Sequence, residues 1–204
     1  MNCNNRQAIT LIELLISIVL LAMVIVGFMS IDTFSRHHLV SSDRRAKLQN
    51  EAMLILEHMT KQLIGVIGDS ESEPINITAA GANSRRVRGF IDNGDGIRGL
   101  NDNWTDYCFG TNDCGAGSDT HTLSFQLVDN STGTASPVAA SRETLSRRVS
   151  AFRATMDYAN SRNYFDVTVT TCWDPDGAPL ACHTADNPAV TLNTTIRLPS
   201  VSIK

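Results

Sequence analysis

The chain has 204 residues, which allows one anchor helix and one domain of ordinary size with its own buried core. Its formal net charge of −4 and its pI of about 5.7 argue against nucleic-acid binding driven by charge. An apolar content of 42% is ordinary for a globular chain and argues against disorder.

The first predicted element is a long apolar helix near the N-terminus. From residue 9 to residue 29 the only ionisable side chain is Glu13. At a helical rise of about 1.5 Å per residue, this stretch is long enough to cross a hydrocarbon core of about 30 Å. It is also longer than the apolar region of a secretory signal peptide, which spans about 7 to 15 residues. We therefore expect residues 9–29 to form a transmembrane helix.

Glu13 is unusual because it lies inside this apolar run. An ionised carboxylate in hydrocarbon is costly and is kept mainly where it has a partner. Two interpretations are open from position alone. The carboxylate either lies near the polar headgroups and is tolerated there, or it is kept because it has a partner.

The segment AITLIE, residues 8–13, resembles the processing site of type IV prepilins and pseudopilins, with Thr second and Glu fifth in the mature helix. The resemblance implies that residues 1–8 are a leader and that a prepilin peptidase cuts between Ala8 and Ile9. It also implies that the new amine of Ile9 is methylated. Thr10 and Glu13 would then act in filament assembly, with Glu13 facing the positive N-terminus of a neighbouring subunit.

The helix is predicted to continue beyond the membrane run as an amphipathic segment, residues 30–68. No proline occurs before Pro74, and glycines at 65 and 68 are the predicted stop signals. Apolar positions recur at steps of three and four, whereas charged and polar residues take the other side. The apolar stripe consists of Leu48, Ala52, Ile55, Leu56, Met59 and Leu63, and the opposite side of Lys47, Glu51, His58 and Lys61.

Helical periodicity gives way to short alternating segments after Pro74. They lie at residues 75–77, 87–91, 122–127, 152–158, 165–169 and 190–198, and the alternation predicts strands with one buried face. A helix followed by antiparallel strands indicates an α+β fold with one sheet lying on the helix, and the type IV pilin fold has that order. Residues 69–204 would form a β-rich head domain outside the inner membrane. The segments RRVSAFRATMDY, FDVTVTT and TTIRLP are similar to minor pilins of the W type and pseudopilins of the J type.

Four cysteines lie in the predicted head domain: Cys108, Cys114, Cys172 and Cys182. An exported domain with four cysteines suggests two disulfides, with three connectivities that the sequence does not separate. We favour local pairing, 108 with 114 and 172 with 182, each across a loop rich in Gly, Asp or Pro. The spacings C-x5-C and C-x9-C fit a zinc site poorly.

One loop is rich in the oxygen ligands that calcium prefers, and its candidate ligands are Asp92, Asn93, Asp95 and Asp102. The loop does not follow the EF-hand pattern, and the same residue types are ordinary turn formers. Both a calcium site and a plain turn therefore stay open. No other cofactor is indicated.

The sequence contains no nucleophile elbow, P-loop, dinucleotide fingerprint or metalloprotease motif, which argues against an enzyme. The resemblance implies a structural minor subunit of a type IV pilus or type II secretion filament. Its partners would be other pilin or pseudopilin subunits, prepilin peptidase and the bacterial inner membrane, with a cytoplasmic N-terminus and no direct contact with nucleic acid. The alternative is a single-pass membrane protein with an exported calcium-dependent binding or adhesion domain.

Overall fold

The computed structural model describes residues 10–68, 73–79, 85–91, 102–110, 120–138, 141–156, 164–176, 182–184, 186–198 and 200–201. The chain divides into two compact units, Met1–Asp43 and Arg44–Lys204. One α-helix, α1, runs from Leu11 to Leu63 and contributes to both.

In the first unit, α1 exposes its apolar side chains along its whole described length. Helix α1 is long and apolar enough to cross a membrane, and it alone meets that test in the described part of the chain. The hydroxyls of Ser17, Ser30 and Thr33 each donate to the backbone carbonyl four residues earlier, at 2.8, 3.0 and 2.9 Å. The hydroxyl groups of these three side chains are thus satisfied within the helix.

In the second unit, one face of α1 is buried and packs against the sheets. The buried residues are Leu48, Ala52, Ile55, Leu56, Met59 and Leu63, which confirms the predicted stripe. The prediction for the opposite side was wrong at two positions. His58 is half-buried against Tyr107, and the carboxylate of Glu51 lies 3.8 Å from the guanidinium of Arg148.

The helix ends at Leu63, two residues before the predicted stop signal Gly65 and before the predicted end of the segment at residue 68. Val66 N donates to the carbonyl of Leu63 at 3.3 Å, and the chain enters an extended conformation two residues before Gly68. Gly68 belongs to a short strand, so it does not act as a helix cap.

The described part of the chain forms three groups of strands. The strands are β1 (Ile67–Gly68), β2 (Ile75–Ala79), β3 (Arg85–Ile91), β4 (Asn103–Phe109), β5 (Leu123–Asp129), β6 (Ser136–Pro137), β7 (Glu143–Ser146), β8 (Val149–Met156), β9 (Tyr164–Cys172), β10 (Ala189–Arg197) and β11 (Ser200–Val201). A six-stranded sheet has the order β2-β3-β4-β5-β6, with β7 also paired to β5. A three-stranded sheet has the order β10-β9-β8, and β1 pairs with β11 in parallel.

The expectation of a single antiparallel sheet was therefore wrong in number, whereas the α+β class is confirmed. Both larger sheets are antiparallel and send side chains into the same core as α1. Tyr107 and Phe125 come from the six-stranded sheet, and Phe152 and Phe165 come from the three-stranded sheet. A long N-terminal helix on antiparallel sheets is consistent with the type IV pilin fold.

Strand β4 is absent from the strands predicted by alternation, although it is paired on both sides by β3 and β5. Its burial is nearly continuous, from Trp104 to Phe109, because both of its faces are covered. Tyr107 and Phe109 face the core shared with α1, whereas Trp104, Asp106 and Cys108 alternate onto the opposite face. A strand buried on both faces has no apolar-polar alternation to detect.

Candidate functional site

The N-terminal end of α1 is held by Thr10, the residue just before the helix. The backbone N–H of Glu13 donates to the carbonyl of Thr10 at 3.1 Å and approaches its hydroxyl at 3.4 Å, and Leu14 N donates to the same carbonyl at 3.2 Å. Thr10 is therefore the N-cap of the helix. The spacing Thr-x-x-Glu from 10 to 13 is that of a capping box, so the sequence itself carries the signal for this helix start.

This geometry gives Glu13 a physical role within its own chain. Its carboxylate lies in the first turn of α1, where the N–H groups and the helix dipole favour negative charge. Its neighbours in this turn are apolar and exposed, with Leu11 82% and Ile12 64% accessible. No ion pair joins the Glu13 carboxylate to another described residue.

The predicted cleavage site lies outside the described residues, because these begin at Thr10. The predicted leader, residues 1–8, lies outside them as well. Cleavage between Ala8 and Ile9 and methylation of Ile9 stay predictions.

The structure joins Cys172 to Cys182 by a disulfide, with the two Cα atoms 5.9 Å apart. Cys108 is also disulfide-bonded, and Cys114, the partner expected from the sequence, lies outside the described residues. Cys108 lies near the end of strand β4 and is 2% exposed, and its pairing with Cys114 stays a prediction.

The segment after Cys172 is fastened to α1 and to neighbouring turns. The ring centroid of Trp173 lies 5.3 Å from Cζ of Arg44 and 4.5 Å from Cζ of Arg148, both within cation–π range. Arg44 Nη1 also donates to the carbonyl of Asp186. Two hydrogen bonds of 2.8 and 2.9 Å join the side chain of Asn187 to the backbone of Asp174. These contacts fix one end of the disulfide loop against the helix.

A buried charge network lies on the other face of the six-stranded sheet. Asp106 is 0% exposed and accepts hydrogen bonds from Arg86 Nη2 and from Arg88 Nε, the latter at 3.1 Å. Trp104 Nε1 and Gln126 Nε2 approach the same carboxylate at 3.3 and 3.5 Å. Two guanidinium groups and two neutral donors thus compensate one buried carboxylate. Sequence patterns did not predict this network because Asp106 belongs to the strand that shows no alternation.

The candidate calcium ligands are not brought together in the described part of the chain. Asp102 is buried, at 1% exposure, and Asp92, Asn93 and Asp95 lie outside the described residues. Among the described residues, no group of three or more His, Cys, Asp or Glu side chains is arranged to hold a metal ion. The calcium site stays a hypothesis.

Comparison with known proteins adds one match at the N-terminus. Residues 3–29 match the family model described as the prokaryotic N-terminal methylation motif. No match was found among curated proteins or among solved structures. The matched segment includes Thr10, Glu13 and the membrane-length part of α1, so residues 3–29 are similar to the N-terminal segments of type IV prepilins.

Proposed function

We propose that this protein is a structural minor subunit of a type IV pilus or of a type II secretion filament. The observation that carries the proposal is the methylation motif at residues 3–29, which coincides with a capped apolar helix carrying one carboxylate in its first turn. Residues 1–8 are the leader, 9–29 the membrane and filament-core helix, 30–68 its continuation and 69–204 the head domain.

The proposed assembly step follows from the position of Glu13. After cleavage between Ala8 and Ile9, the methylated amine of Ile9 is a cation in an apolar filament core. An unpaired carboxylate in such surroundings is costly, and a cation of the neighbouring subunit offsets that cost. Because the charge occurs once along the apolar helix, it also fixes the axial register between adjacent helices.

We propose a minor rather than a major subunit because, read from the sequence alone, the strand segments resemble those of minor pilins of the W type and pseudopilins of the J type. The proposal places the N-terminus in the cytoplasm and the head domain in the periplasm before assembly. Disulfide bonds at Cys108 and between Cys172 and Cys182 support an exported head domain, because disulfides persist in oxidising compartments.

Glu13→Ala tests the assembly role, with Glu57→Ala as the matched control because Glu57 is exposed on the same helix. The fraction of the protein in sheared filaments should fall strongly for Glu13→Ala and stay at the wild-type level for Glu57→Ala. Membrane insertion of both variants should be unchanged. Normal incorporation of Glu13→Ala would contradict the role given to this carboxylate.

Mass spectrometry of the native N-terminus tests the processing step. A methylated Ile9 is the expected result. An intact Met1, or a cut beyond residue 29, would contradict the proposed class of filament subunit.

A further inference from the structure

Strand β10 is the longest edge strand in the described part of the chain. It spans nine residues, Ala189–Arg197, and every residue is in register with β9. On its other side, no strand of the described ranges pairs with it. The edge strands of the six-stranded sheet are shorter, with five residues in β2, two in β6 and four in β7.

The register identifies which backbone groups of β10 point to the open side. Trp173 N donates to the carbonyl of Pro188 at 3.0 Å, so these two residues form a hydrogen-bonded pair at the start of the ladder. Hydrogen-bonded and non-hydrogen-bonded pairs alternate in an antiparallel ladder. The hydrogen bonds to β9 therefore come from Val190, Leu192, Thr194 and Ile196.

The N–H and carbonyl groups of Thr191, Asn193 and Thr195 consequently face away from β9. Side-chain contacts agree with this assignment, since side chains are closer in non-hydrogen-bonded pairs. The hydroxyls of Thr191 and Thr170 lie 2.9 Å apart, and the Thr195 hydroxyl donates to Asp166 at 2.5 Å. No backbone hydrogen bond to these three residues occurs from the described residues outside the ladder.

The sequence of β10 lacks the features that normally protect an edge. The strand AVTLNTTIR contains no proline, no lysine and no acidic residue, and its single charge, Arg197, stands at the last position. Natural proteins usually block long edges with such residues, with bulges or with short strands. A long, regular and unprotected edge is suited to accept another strand.

We propose that a neighbouring filament subunit adds an extended strand to the open edge of β10. The outward N–H and carbonyl groups recur every second residue, at about 7 Å, a spacing that an extended chain matches. The incoming strand should alternate, with apolar side chains beside half-buried Leu192 and buried Ile196 and polar side chains beside exposed Thr191 and Asn193. The inference rests on the proposed function, since it takes the partner to be a filament subunit.

Proline substitution tests the edge because a proline removes one N–H and places its ring beside the strand. In Asn193→Pro the lost N–H faces the open side, so the ladder to β9 is kept and the melting temperature should stay within a few degrees of wild type. The fraction of the Asn193→Pro protein found in sheared filaments should fall at least about tenfold. The reason is that the incoming strand loses one hydrogen bond and the proline ring obstructs its pairing with β10. Asn193→Ser keeps the N–H and is the matched control, with wild-type incorporation.

Thr194→Pro tests the assignment of the outward groups. The N–H of Thr194 donates to β9 in the wild-type ladder, so its loss in Thr194→Pro should lower the melting temperature well below that of Asn193→Pro. Equal destabilisation by the two prolines would overturn the inference. Amide hydrogen exchange gives a second readout, and Thr191, Asn193 and Thr195 should exchange more slowly in filaments than in the free protein.

The outcomes separate this inference from the proposed function. If Asn193→Pro enters filaments normally while Glu13→Ala does not, the edge proposal fails and the filament role stands. If the wild-type protein is absent from filaments, both fail.

Discussion

The imidazole Nδ1 of His58 lies 3.0 Å from the phenolic oxygen of Tyr107, so helix α1 and the six-stranded sheet share a hydrogen bond within the unit Arg44–Lys204. Burial raises the pKa of Tyr107 well above its ordinary value, and Glu143 raises it further, so the phenol keeps its proton. The Tyr107 hydroxyl also donates to the backbone carbonyl of His58 at 3.4 Å. The pKa of His58 is held below its ordinary value of 6.5, chiefly by desolvation. Among the nearby charges, Glu143 opposes this shift and Lys61 adds to it.

This pair predicts that the head domain loses stability as the pH falls from neutrality. The neutral imidazole is favoured in the folded state, so the unfolded chain binds a proton first, and stability decreases as the pH falls through about 6.5 towards the lower pKa of the folded state. His58→Asn supplies a non-titrating acceptor and should flatten the dependence. Melting temperatures of the full chain in detergent between pH 7.5 and 5 would measure it. His183→Asn, at an exposed position with positive φ that Asn tolerates, should behave like wild type.

Asp106→Asn should destabilise the protein by about 3 to 5 kcal/mol, because it leaves Arg86 and Arg88 facing a neutral group in a buried network. Denaturant unfolding gives the change in free energy. Asp129→Asn, on the exposed end of β5, is the control and should have little effect. Equal stabilities of the two variants would show that the buried charge is not required.

Gly89→Ala should destabilise the protein by about 1 to 3 kcal/mol through overpacking. A Cβ at Gly89 would lie 2.6 Å from Leu63 Cδ2 and from Val66 Cγ1, where the end of α1 approaches strand β3. Gly65→Ala is the matched control because nothing lies within 4 Å of the added atom. Thermal unfolding of the two variants should separate them by several degrees, and an undisturbed Gly89→Ala would contradict the close approach.

Trp173→Leu should lower stability and loosen the disulfide loop, since two cation–π contacts are lost, each worth about 0.5 to 2 kcal/mol. A double-mutant cycle with Arg148→Gln isolates the coupling between the two side chains. A cycle with Arg153→Gln, on the exposed face of β8, should give no coupling. A zero coupling for Arg148 as well would show that this contact does not hold the loop.

The calcium hypothesis predicts that millimolar calcium raises the melting temperature and that magnesium does not, because an irregular oxygen-rich loop suits calcium geometry. Asp102→Asn should reduce the calcium effect. An unchanged melting temperature across the titration would leave the segment that includes Asp92, Asn93 and Asp95 as an ordinary turn.

Sequence periodicity predicted the helix face and most strands because one side of each meets the core and the other meets water. All six buried positions of α1 follow from steps of three and four, and the strand at Phe165 and Val167 follows from alternation. Strand β4 could not be found in this way, since both of its faces are buried and its start, Asn103, resembles a turn.

The sequence also did not predict that the strands divide between a six-stranded and a three-stranded sheet. Alternation indicates that a segment is a strand but says nothing about its neighbours, and β1 with β11 contains too few residues to show a period. The proposed assembly role of Glu13 comes from the resemblance to prepilins, whereas the capping role of Thr10 could be predicted from the Thr-x-x-Glu spacing alone.

If the chain is a filament subunit as proposed, the internal hydrogen bonds of Ser17, Ser30 and Thr33 have a consequence for the transfer of α1 from the membrane into the filament. Each hydroxyl already has its acceptor one turn back, so exchanging acyl chains for protein neighbours breaks none of these bonds. Apolar packing and the single carboxylate are then left to set the preference between the two surroundings. Under the proposed function, these three hydroxyls therefore add no enthalpic barrier when the helix enters a filament.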